Sequence, residues 1–183
     1  MKIVLATPLY PPDIAEPAPY AKELATRLAK TDEVIIVTYG HIPEDVDGVR
    51  MRAVSKQRPL PFRLIAYTFA LLRTARDADI LYMQNGPSVE LPVAIASFFR
   101  RTPIVMRIGD EAAHTYARTR PQLQAIERFA LRRAKEVVTD SPDPRPEILP
   151  FRDHPVAELD AFERSWETHI AGLRETFRAL CHV

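Results

Sequence analysis

The sequence of 183 residues predicts an α/β domain built on a parallel β-sheet. Short apolar runs without alternation, such as residues 33–38 (EVIIVT), are typical of strands buried on both faces of a sheet. Segments with apolar residues at helical spacing separate these runs, which indicates parallel strands joined by crossover helices. Because such crossovers are right-handed, the pattern predicts a single Rossmann-like, doubly wound sheet of about six strands with helices on both faces.

Six segments are predicted as strands: residues 2–7, 33–38, 49–54, 79–83, 103–108 and 136–139. Prolines follow the first of them, so that strand cannot continue. The third differs from the others, because Arg50 and Arg52 alternate with apolar residues. Alternation is typical of a strand with one exposed face, so we expect this strand near an edge of the sheet.

Helices are predicted between the strands, and the first carries Tyr20, Leu24 and Leu28 at four-residue steps. The next helices are predicted at residues 59–76, 88–101 and 120–134. Pro92 would lie in the first turn of the helix at 88–101, where a missing N–H is tolerated best.

The end of the chain predicts a separate helix. Residues 142–159 hold five prolines, which predict an extended linker. An apolar stripe at three- and four-residue steps follows it: Phe162, Trp166, Ile170, Leu173 and Phe177. Such a stripe needs a packing partner, and the nearest is the face of the chain's own sheet. We therefore expect a domain at 1–141, a linker at 142–159 and a C-terminal amphipathic helix at 160–183 that packs back on the sheet.

Composition and charge narrow the classes of function. The formal net charge is +1 and no nucleic-acid-binding motif is visible, so nucleic acid is not an expected partner. Cys181 is the one cysteine, so no disulfide forms within the chain, and a reducing cytoplasm is the expected compartment. The uncharged run at 64–72 is far shorter than the ~20 residues that span a bilayer. Without a cluster of ligating residues, neither a metal nor a cofactor is expected.

The first candidate site follows the first strand. The opening stretch MKIVLATPLYPPDI, followed by YAKELA, resembles that of family-4 retaining glycosyltransferases, which are two-domain enzymes of the GT-B fold. In that family a Gly-Gly loop follows the prolines and lets backbone N–H groups approach a nucleotide diphosphate. Ala15 and Glu16 stand there in this chain and are the implied substrate-binding positions, but the Glu16 carboxylate would repel a phosphate. Pro17 and Pro19 remove two further donors.

Gln84, Asn85 and Gly86 follow the fourth predicted strand. In the family that the opening resembles, this strand end faces the cleft between the two domains and helps to place the acceptor, so the resemblance implies that these residues bind substrate. Asn-Gly is also turn chemistry by itself, so a purely structural turn is the alternative.

The fifth strand leads into Gly109, Asp110 and Glu111, which resemble the family's strand–Gly-Asp–acid pattern at the floor of the cleft. The resemblance implies that Asp110 is catalytic, since its carboxylate could orient an acceptor hydroxyl or accept its proton. An aspartate that caps a helix is the alternative. Gly109 would allow close approach of the backbone, and Glu111 is assigned to substrate binding beside it. His114 is a further acid/base candidate, and a solvated loop histidine is its alternative.

The resemblance covers residues 1–141, and residues 160–180 resemble the family's last helix. It implies the acceptor-side half of a nucleotide-sugar-dependent glycosyltransferase that acts on a sugar or lipid-linked acceptor. The donor-sugar domain that separates these two parts in the family is missing from the sequence, so a separate donor-binding chain is the expected partner. A non-catalytic binding or scaffold module and a shortened remnant of such an enzyme stay open as alternatives.

Residues 56–76 mix basic with apolar side chains, from Lys56 and Phe62 to Arg73 and Arg76. Family members that act on lipid-linked acceptors dock on membranes through such a surface. Phe62 would insert between lipids while the arginines meet lipid phosphates. A core helix with a solvated basic end is the alternative. The expected location is therefore the cytoplasm, with or without peripheral membrane contact.

Overall fold

The computed structural model describes residues 1–15, 17–40, 42–109, 111–139 and 156–182. Its strands are β1 Lys2–Ala6, β2 Glu33–Tyr39, β3 Val49–Val54, β4 Ile80–Gln84, β5 Ile104–Arg107 and β6 Glu136–Val138. They form one sheet in the order β3-β2-β1-β4-β5-β6, and every neighbouring pair is parallel. The predicted doubly wound sheet is confirmed, and β3 lies at an edge as its alternating arginines predict.

The helices are α1 Pro17–Leu28, α2 Leu60–Thr74, α3 Pro87–Phe99, α4 Glu111–Arg118, α5 Pro121–Arg133 and α6 Val156–Cys181. A short 3₁₀ turn, Ala75–Asp77, follows α2. α3 begins at Pro87, because proline is well suited to the first position of a helix, where its missing N–H needs no partner. Pro92 consequently lies inside α3 and not in its first turn, so that expectation is wrong.

Two helices go beyond the sequence pattern. α4 (EAAHTYAR) is not among the predicted helices, because its eight residues are fewer than the about 11 over which a helical period is read. α6 begins at Val156, ahead of the predicted start at residue 160, so the last residues of the predicted linker are helical. The rest of that linker lies outside the described residues, and the division into domain, linker and helix stays a prediction.

Helices cover both faces of the sheet. α2, α3 and α5 pack on one face, where Tyr67 and Val93 belong to the core. α1 and α6 pack on the other face, where Tyr20, Leu24 and Trp166 belong to a second core. Since a parallel sheet is stable only with both faces covered, α6 completes the cover that α1 begins. The C-terminal helix thus packs back on the sheet as its apolar stripe predicts.

Apolar packing holds α6 in place. The side chains of Trp166 and Phe177 are both 0% exposed. The ring of Trp166 lies 5.5 Å from that of Tyr20 in α1, and the ring of Phe177 lies 6.0 Å from that of Tyr82 in β4, measured between centroids. Such aromatic contacts add about 0.5–1.5 kcal/mol each to the larger contribution of buried area.

A salt bridge also joins α1 to α6. Arg27 donates hydrogen bonds to both carboxylate oxygens of Glu163, at 3.0 and 2.9 Å. These hydrogen bonds lower the pKa of the Glu163 carboxyl. The Glu163 side chain is 57% exposed, so water screens the pair, and exposed pairs of this kind contribute about 1 kcal/mol or less. The apolar contacts therefore dominate the docking of α6.

Trp166→Ala is expected to lower the free energy of unfolding by about 3–5 kcal/mol, because it removes a fully buried indole and leaves a cavity between α6 and the sheet. Urea unfolding followed by circular dichroism measures the change. Glu167→Ala, at an exposed position of the same helix, is the control and is expected to cost less than about 0.5 kcal/mol. Equal losses in the two variants would show that Trp166 does not anchor α6.

Candidate functional site

The order of the strands locates the edge at which sheets of this kind bind ligands. The chain continues from β1 toward β2 and β3 on one side, and from β4 toward β5 and β6 on the other, so the order reverses between β1 and β4. In open parallel sheets, ligands bind beyond the carboxyl ends of the strands at such a switch point. Thr7 follows β1, Asn85 follows β4, and Gly109 lies just beyond β5. The fold therefore gathers the predicted site residues that follow β4 and β5 at one edge.

A buried polar pair bridges β1 and β4 at the switch point. The Thr7 hydroxyl oxygen lies 2.6 Å from the Leu9 carbonyl oxygen and 2.5 Å from Oε1 of Gln84. One hydroxyl proton cannot serve two acceptors, and Nε2 of Gln84 is buried without a partner within the described residues. Turning the amide over satisfies Nε2, which then donates to Thr7 while Thr7 donates to Leu9. Gln84 thus ties two strand ends together, and its role toward substrate stays a prediction.

Asn85 and Gly86 form the turn between β4 and α3. Gly86 has φ 141°, which residues with a side chain rarely adopt, and its N–H donates to Oε1 of Glu90 at 2.9 Å. Oδ1 of Asn85 accepts from the N–H of Gly109 at 3.2 Å, and the N–H of Asn85 donates to the Arg107 carbonyl at 3.0 Å. These residues do form a structural turn, and Asn85 also joins the loops after β4 and β5. Acceptor binding by this turn stays a prediction.

Arg107 is a residue of this edge that the sequence pattern does not single out. Its side chain is 2% exposed, and its guanidinium lies 3.6 Å from the centre of the Tyr20 ring in a cation–π contact. A side chain at position 109 would overlap that guanidinium. Gly109 thus makes room for Arg107, whereas the sequence suggested room for a ligand. The sequence feature that could have pointed to Arg107 is a single basic residue at the end of an otherwise apolar strand, IVMR.

Three titratable side chains, Glu90, His114 and Glu127, lie near one another beside the turn between β4 and α3. Nδ1 of His114 lies 2.5 Å from Oε1 of Glu127, which is 4% exposed. Burial raises the pKa of Glu90 to about 7, helped by the charge of Glu127 and opposed by the Gly86 N–H and by His114. His114 therefore lies in α4 and not in a loop, and its partly exposed ring is paired with Glu127. Its action as an acid or base stays a prediction.

The start of α1 offers few amide donors to a phosphate. α1 begins at Pro17, and neither Pro17 nor Pro19 has an N–H. The N–H of Ala18, between them, donates to the Ala15 carbonyl at 2.9 Å. The first three positions of the helix therefore present no N–H to a ligand, although these are the groups through which helix N-termini bind anions. The prolines therefore count against diphosphate binding at this predicted site, in addition to the missing glycines.

Two predicted site residues, Glu16 and Asp110, lie outside the described residues, and Glu111 is the first residue of α4. The substrate-binding roles of Glu16 and Glu111 and the catalytic role of Asp110 stay predictions. Across the described ranges, no group of three or more His, Cys, Asp and Glu side chains is placed to hold a metal ion.

An all-parallel sheet in this order, with helices on both faces, has the Rossmann-like, doubly wound fold. A family model described as "Glycosyl transferase 4-like domain" matches residues 16–156. The chain therefore belongs to the glycosyl transferase 4-like domain family, which confirms the predicted resemblance to family-4 glycosyltransferases.

Solved structures share this fold. HepE from Anabaena, solved in complex with UDP, aligns with a TM-score of 0.54 and 20% identity over 77% of this chain and 38% of HepE. A putative UDP-N-acetylglucosamine 2-epimerase from Listeria monocytogenes aligns with a TM-score of 0.54 and 12% identity over 84% of this chain and 43% of the epimerase. The UDP-GlcNAc 2-epimerase from Neisseria meningitidis, solved with UDP-GlcNAc, aligns with a TM-score of 0.51 and 12% identity. That alignment covers 85% of this chain and 44% of the epimerase.

Identities this low establish a common fold and nothing more. The chain spans less than half the length of these three proteins, since the alignments cover 38–44% of them. No curated protein matches the sequence.

The free energy of unfolding is expected to fall by up to about 3 kcal/mol as the pH rises from about 4.5 to about 7. Over this range Glu90 holds its proton in the folded protein, whereas the same carboxyl is ionised in the unfolded chain. The contribution is fully present below pH 4.5, where both states are protonated, and it is lost above the folded pKa of about 7.

Glu90→Gln keeps a side-chain oxygen that accepts the hydrogen bond from Gly86, but the new amide cannot ionise. The variant is therefore expected to reduce the fall in the free energy of unfolding with pH. Urea unfolding at a series of pH values measures the slope. Glu175→Gln, which changes an exposed carboxyl of α6, should leave the slope unchanged. An equal slope in the wild type and in Glu90→Gln would contradict the prediction.

Proposed function

We propose that this chain is the acceptor-side half of a nucleotide-sugar-dependent glycosyltransferase. One observation carries the proposal: in a chain of this family, Asn85 binds the N–H of Gly109 and so joins the loops after β4 and β5 at the switch-point edge. A second domain would close over this edge. Gln84, Asn85 and Gly86 place a sugar or lipid-linked acceptor, and Asp110 orients its hydroxyl or accepts its proton. The enzyme works in the cytoplasm, where its lone cysteine stays reduced.

A separate donor-binding chain supplies most of the contacts to the sugar nucleotide. The start of α1 supports this division, because Pro17 and Pro19 lack an N–H and the Ala18 N–H is engaged within the chain. HepE is solved with UDP and the Neisseria epimerase with UDP-GlcNAc, and both share the fold of this chain. These ligands support a sugar nucleotide as the donor of the completed enzyme.

A non-catalytic binding module is the second candidate. The same two prolines favour it, since a domain that no longer meets a diphosphate has no need of free amides at the start of α1. The candidates differ in one respect: only the enzyme half transfers sugar once the donor-binding chain is present.

Two measurements test the proposal. Titration calorimetry of the chain alone with UDP, GDP and UDP-sugars is expected to show no binding, because the start of α1 lacks donors. Incubation with radiolabelled nucleotide sugars and fractions of a cell extract is expected to show transfer of label in the fraction that holds the donor-binding chain. Asn85→Ala should lower that transfer by about tenfold or more, because it separates the loops after β4 and β5.

Ser88→Ala is the matched control, because Ser88 lies on the first turn of α3, beside Asn85, and offers only its carbonyl to Tyr39. Its transfer should equal that of the wild type. Tight binding of UDP by the chain alone would contradict the division of donor and acceptor contacts. Absence of transfer in every fraction would favour the non-catalytic module.

We also propose peripheral membrane contact through residues 56–76. No helix within the described ranges combines the length and the apolar character that crossing a bilayer requires. Four apolar side chains of α2 are instead exposed to solvent: Leu60 55%, Phe62 64%, Ile65 53% and Phe69 67%. Residues 62, 65 and 69 share one face of the helix by their spacing, and exposed Arg58 and Arg76 flank it. An apolar face beside arginines favours a surface with anionic headgroups.

Sedimentation with phosphatidylserine vesicles is expected to carry the protein down, and phosphatidylcholine vesicles should carry down much less. Phe62→Ser combined with Phe69→Ser should lower the bound fraction by about tenfold, because both inserted rings are lost. Ile42→Ser, in the loop after β2, removes an apolar side chain that is 75% exposed and serves as the control. If the double variant binds the vesicles as well as the wild type, Phe62 and Phe69 do not contact the membrane.

A further inference from the structure

A concave surface lies at the edge of the sheet opposite the candidate site. A groove of about 570 Å³ runs between the ends of α3 and α5 and the starts of β5 and β6. Residues 97–104 and 132–135 line it, and we call it the basic groove. It lies at the amino ends of the strands, whereas Asn85 and Gly109 lie beyond the carboxyl ends. An occupant of the basic groove would therefore leave the candidate site accessible.

Positive charge dominates the basic groove. Its lining includes five basic side chains: Arg100, Arg101, Arg132, Arg133 and Lys135. None of the lining residues that the structure describes is acidic. The whole chain carries a net charge of only +1, so this concentration of bases is local. Like charges at close range repel and destabilise the folded state, so stability alone does not account for the cluster.

Two of the five bases are held by the fold. Nε of Arg100 donates to the Leu72 carbonyl at 3.1 Å, and Arg133 donates to the hydroxyl and carbonyl of Ser97 at 2.8 and 3.0 Å. These bonds join the ends of α2, α3 and α5. No salt bridge within the described part of the chain engages the other three, Arg101, Arg132 and Lys135. Their charges are therefore available to a partner.

The helix dipole explains only part of this arrangement. Arg132 lies in the last turn of α5, where a positive charge meets the unpaired carbonyls. Arg101 lies beyond the end of α3 at Phe99, and Lys135 lies beyond the end of α5. The effect of a helix dipole falls off within its last turn, so these two bases need another reason for their position.

Two phenylalanines give the basic groove an apolar wall. Phe98 is 62% exposed and Phe99 is 67% exposed, although both are large apolar side chains. The ring of Phe98 stacks on that of Phe129 with centroids 5.7 Å apart, and the guanidinium of Arg133 lies 4.9 Å from the Phe98 centroid. Phe98 is thus fixed in an exposed position, which lowers the entropy that binding would cost.

The shape and charge of the basic groove select one kind of occupant. A bilayer surface is flat and cannot enter a recess between two helix ends, whereas an extended peptide can lie in it. Guanidinium groups bind carboxylates with two parallel hydrogen bonds, and exposed aromatic rings bind apolar side chains. We propose that the basic groove binds an acidic segment of a partner protein, in which carboxylates alternate with apolar side chains that contact Phe98 and Phe99.

Fluorescence anisotropy of the complete chain tests the proposal with a fluorescein-labelled peptide that alternates glutamate and leucine. Binding is expected, and it should weaken as salt is added, because ions screen exposed charges. The triple variant Arg101→Gln, Arg132→Gln and Lys135→Gln should bind about tenfold more weakly or worse, because it removes the three unengaged bases. The same peptide with glutamine in place of glutamate should not bind the wild type.

The control triple removes the same charge from exposed positions of α6 and of the turn after α1: Lys30→Gln, Arg164→Gln and Arg178→Gln. It should bind the peptide like the wild type. Equal losses of peptide affinity in the two triple variants would overturn the proposal. They would show that the peptide is attracted by the overall positive charge and not bound by the basic groove. Failure of the wild type to bind the glutamate peptide would also overturn it. Binding to phosphatidylserine vesicles that only the groove triple loses would assign the basic groove to lipid and not to a peptide.

Discussion

The whole structure depends on covering both faces of a parallel sheet. Right-handed crossovers place α2, α3 and α5 on one face, because the chain moves from β3 through β4 and β5 to β6. Only the crossover from β1 to β2 places a helix, α1, on the other face. Without further cover, the apolar residues of β4 and β5 on that face would meet water. α6 covers them, which explains why its stripe includes Trp166 and Phe177, both fully buried.

The same helix also shapes the candidate site. The Tyr20 hydroxyl lies 2.7 Å from Nε2 of His169 in α6 and 2.8 Å from the Tyr82 hydroxyl in β4. The ring of Tyr20 in turn supports the guanidinium of Arg107 at the end of β5. Because Arg107 lies over Gly109, the position of the loop after β5 depends on α6. Stability and the geometry of the site are therefore coupled through Tyr20.

Local periodicity allowed most strands and helices to be predicted, because burial on a strand or helix repeats along the sequence. The edge that holds Asn85 and Gly109 could also be predicted, since the carboxyl ends of parallel strands meet at one edge. The pairing of His114 with Glu127 could not be predicted, and neither could the contact between Tyr20 and His169, which lie 149 residues apart. Such contacts depend on how helices pack, and no local pattern reports that.

The proposed donor and acceptor sides of the candidate site differ, because only the donor side departs from the family pattern. On the donor side, glycines in place of Ala15 and Glu16 would free the backbone, but Pro17 and Pro19 would still leave the first turn of α1 without two donors. The start of α1 therefore differs from the family pattern, as does the loop before it. On the acceptor side, Asn85 bonds Gly109 within the chain, so that edge is organised without a ligand. The proposed acceptor site is thus organised before any donor arrives, and this favours division of the two roles over loss of both.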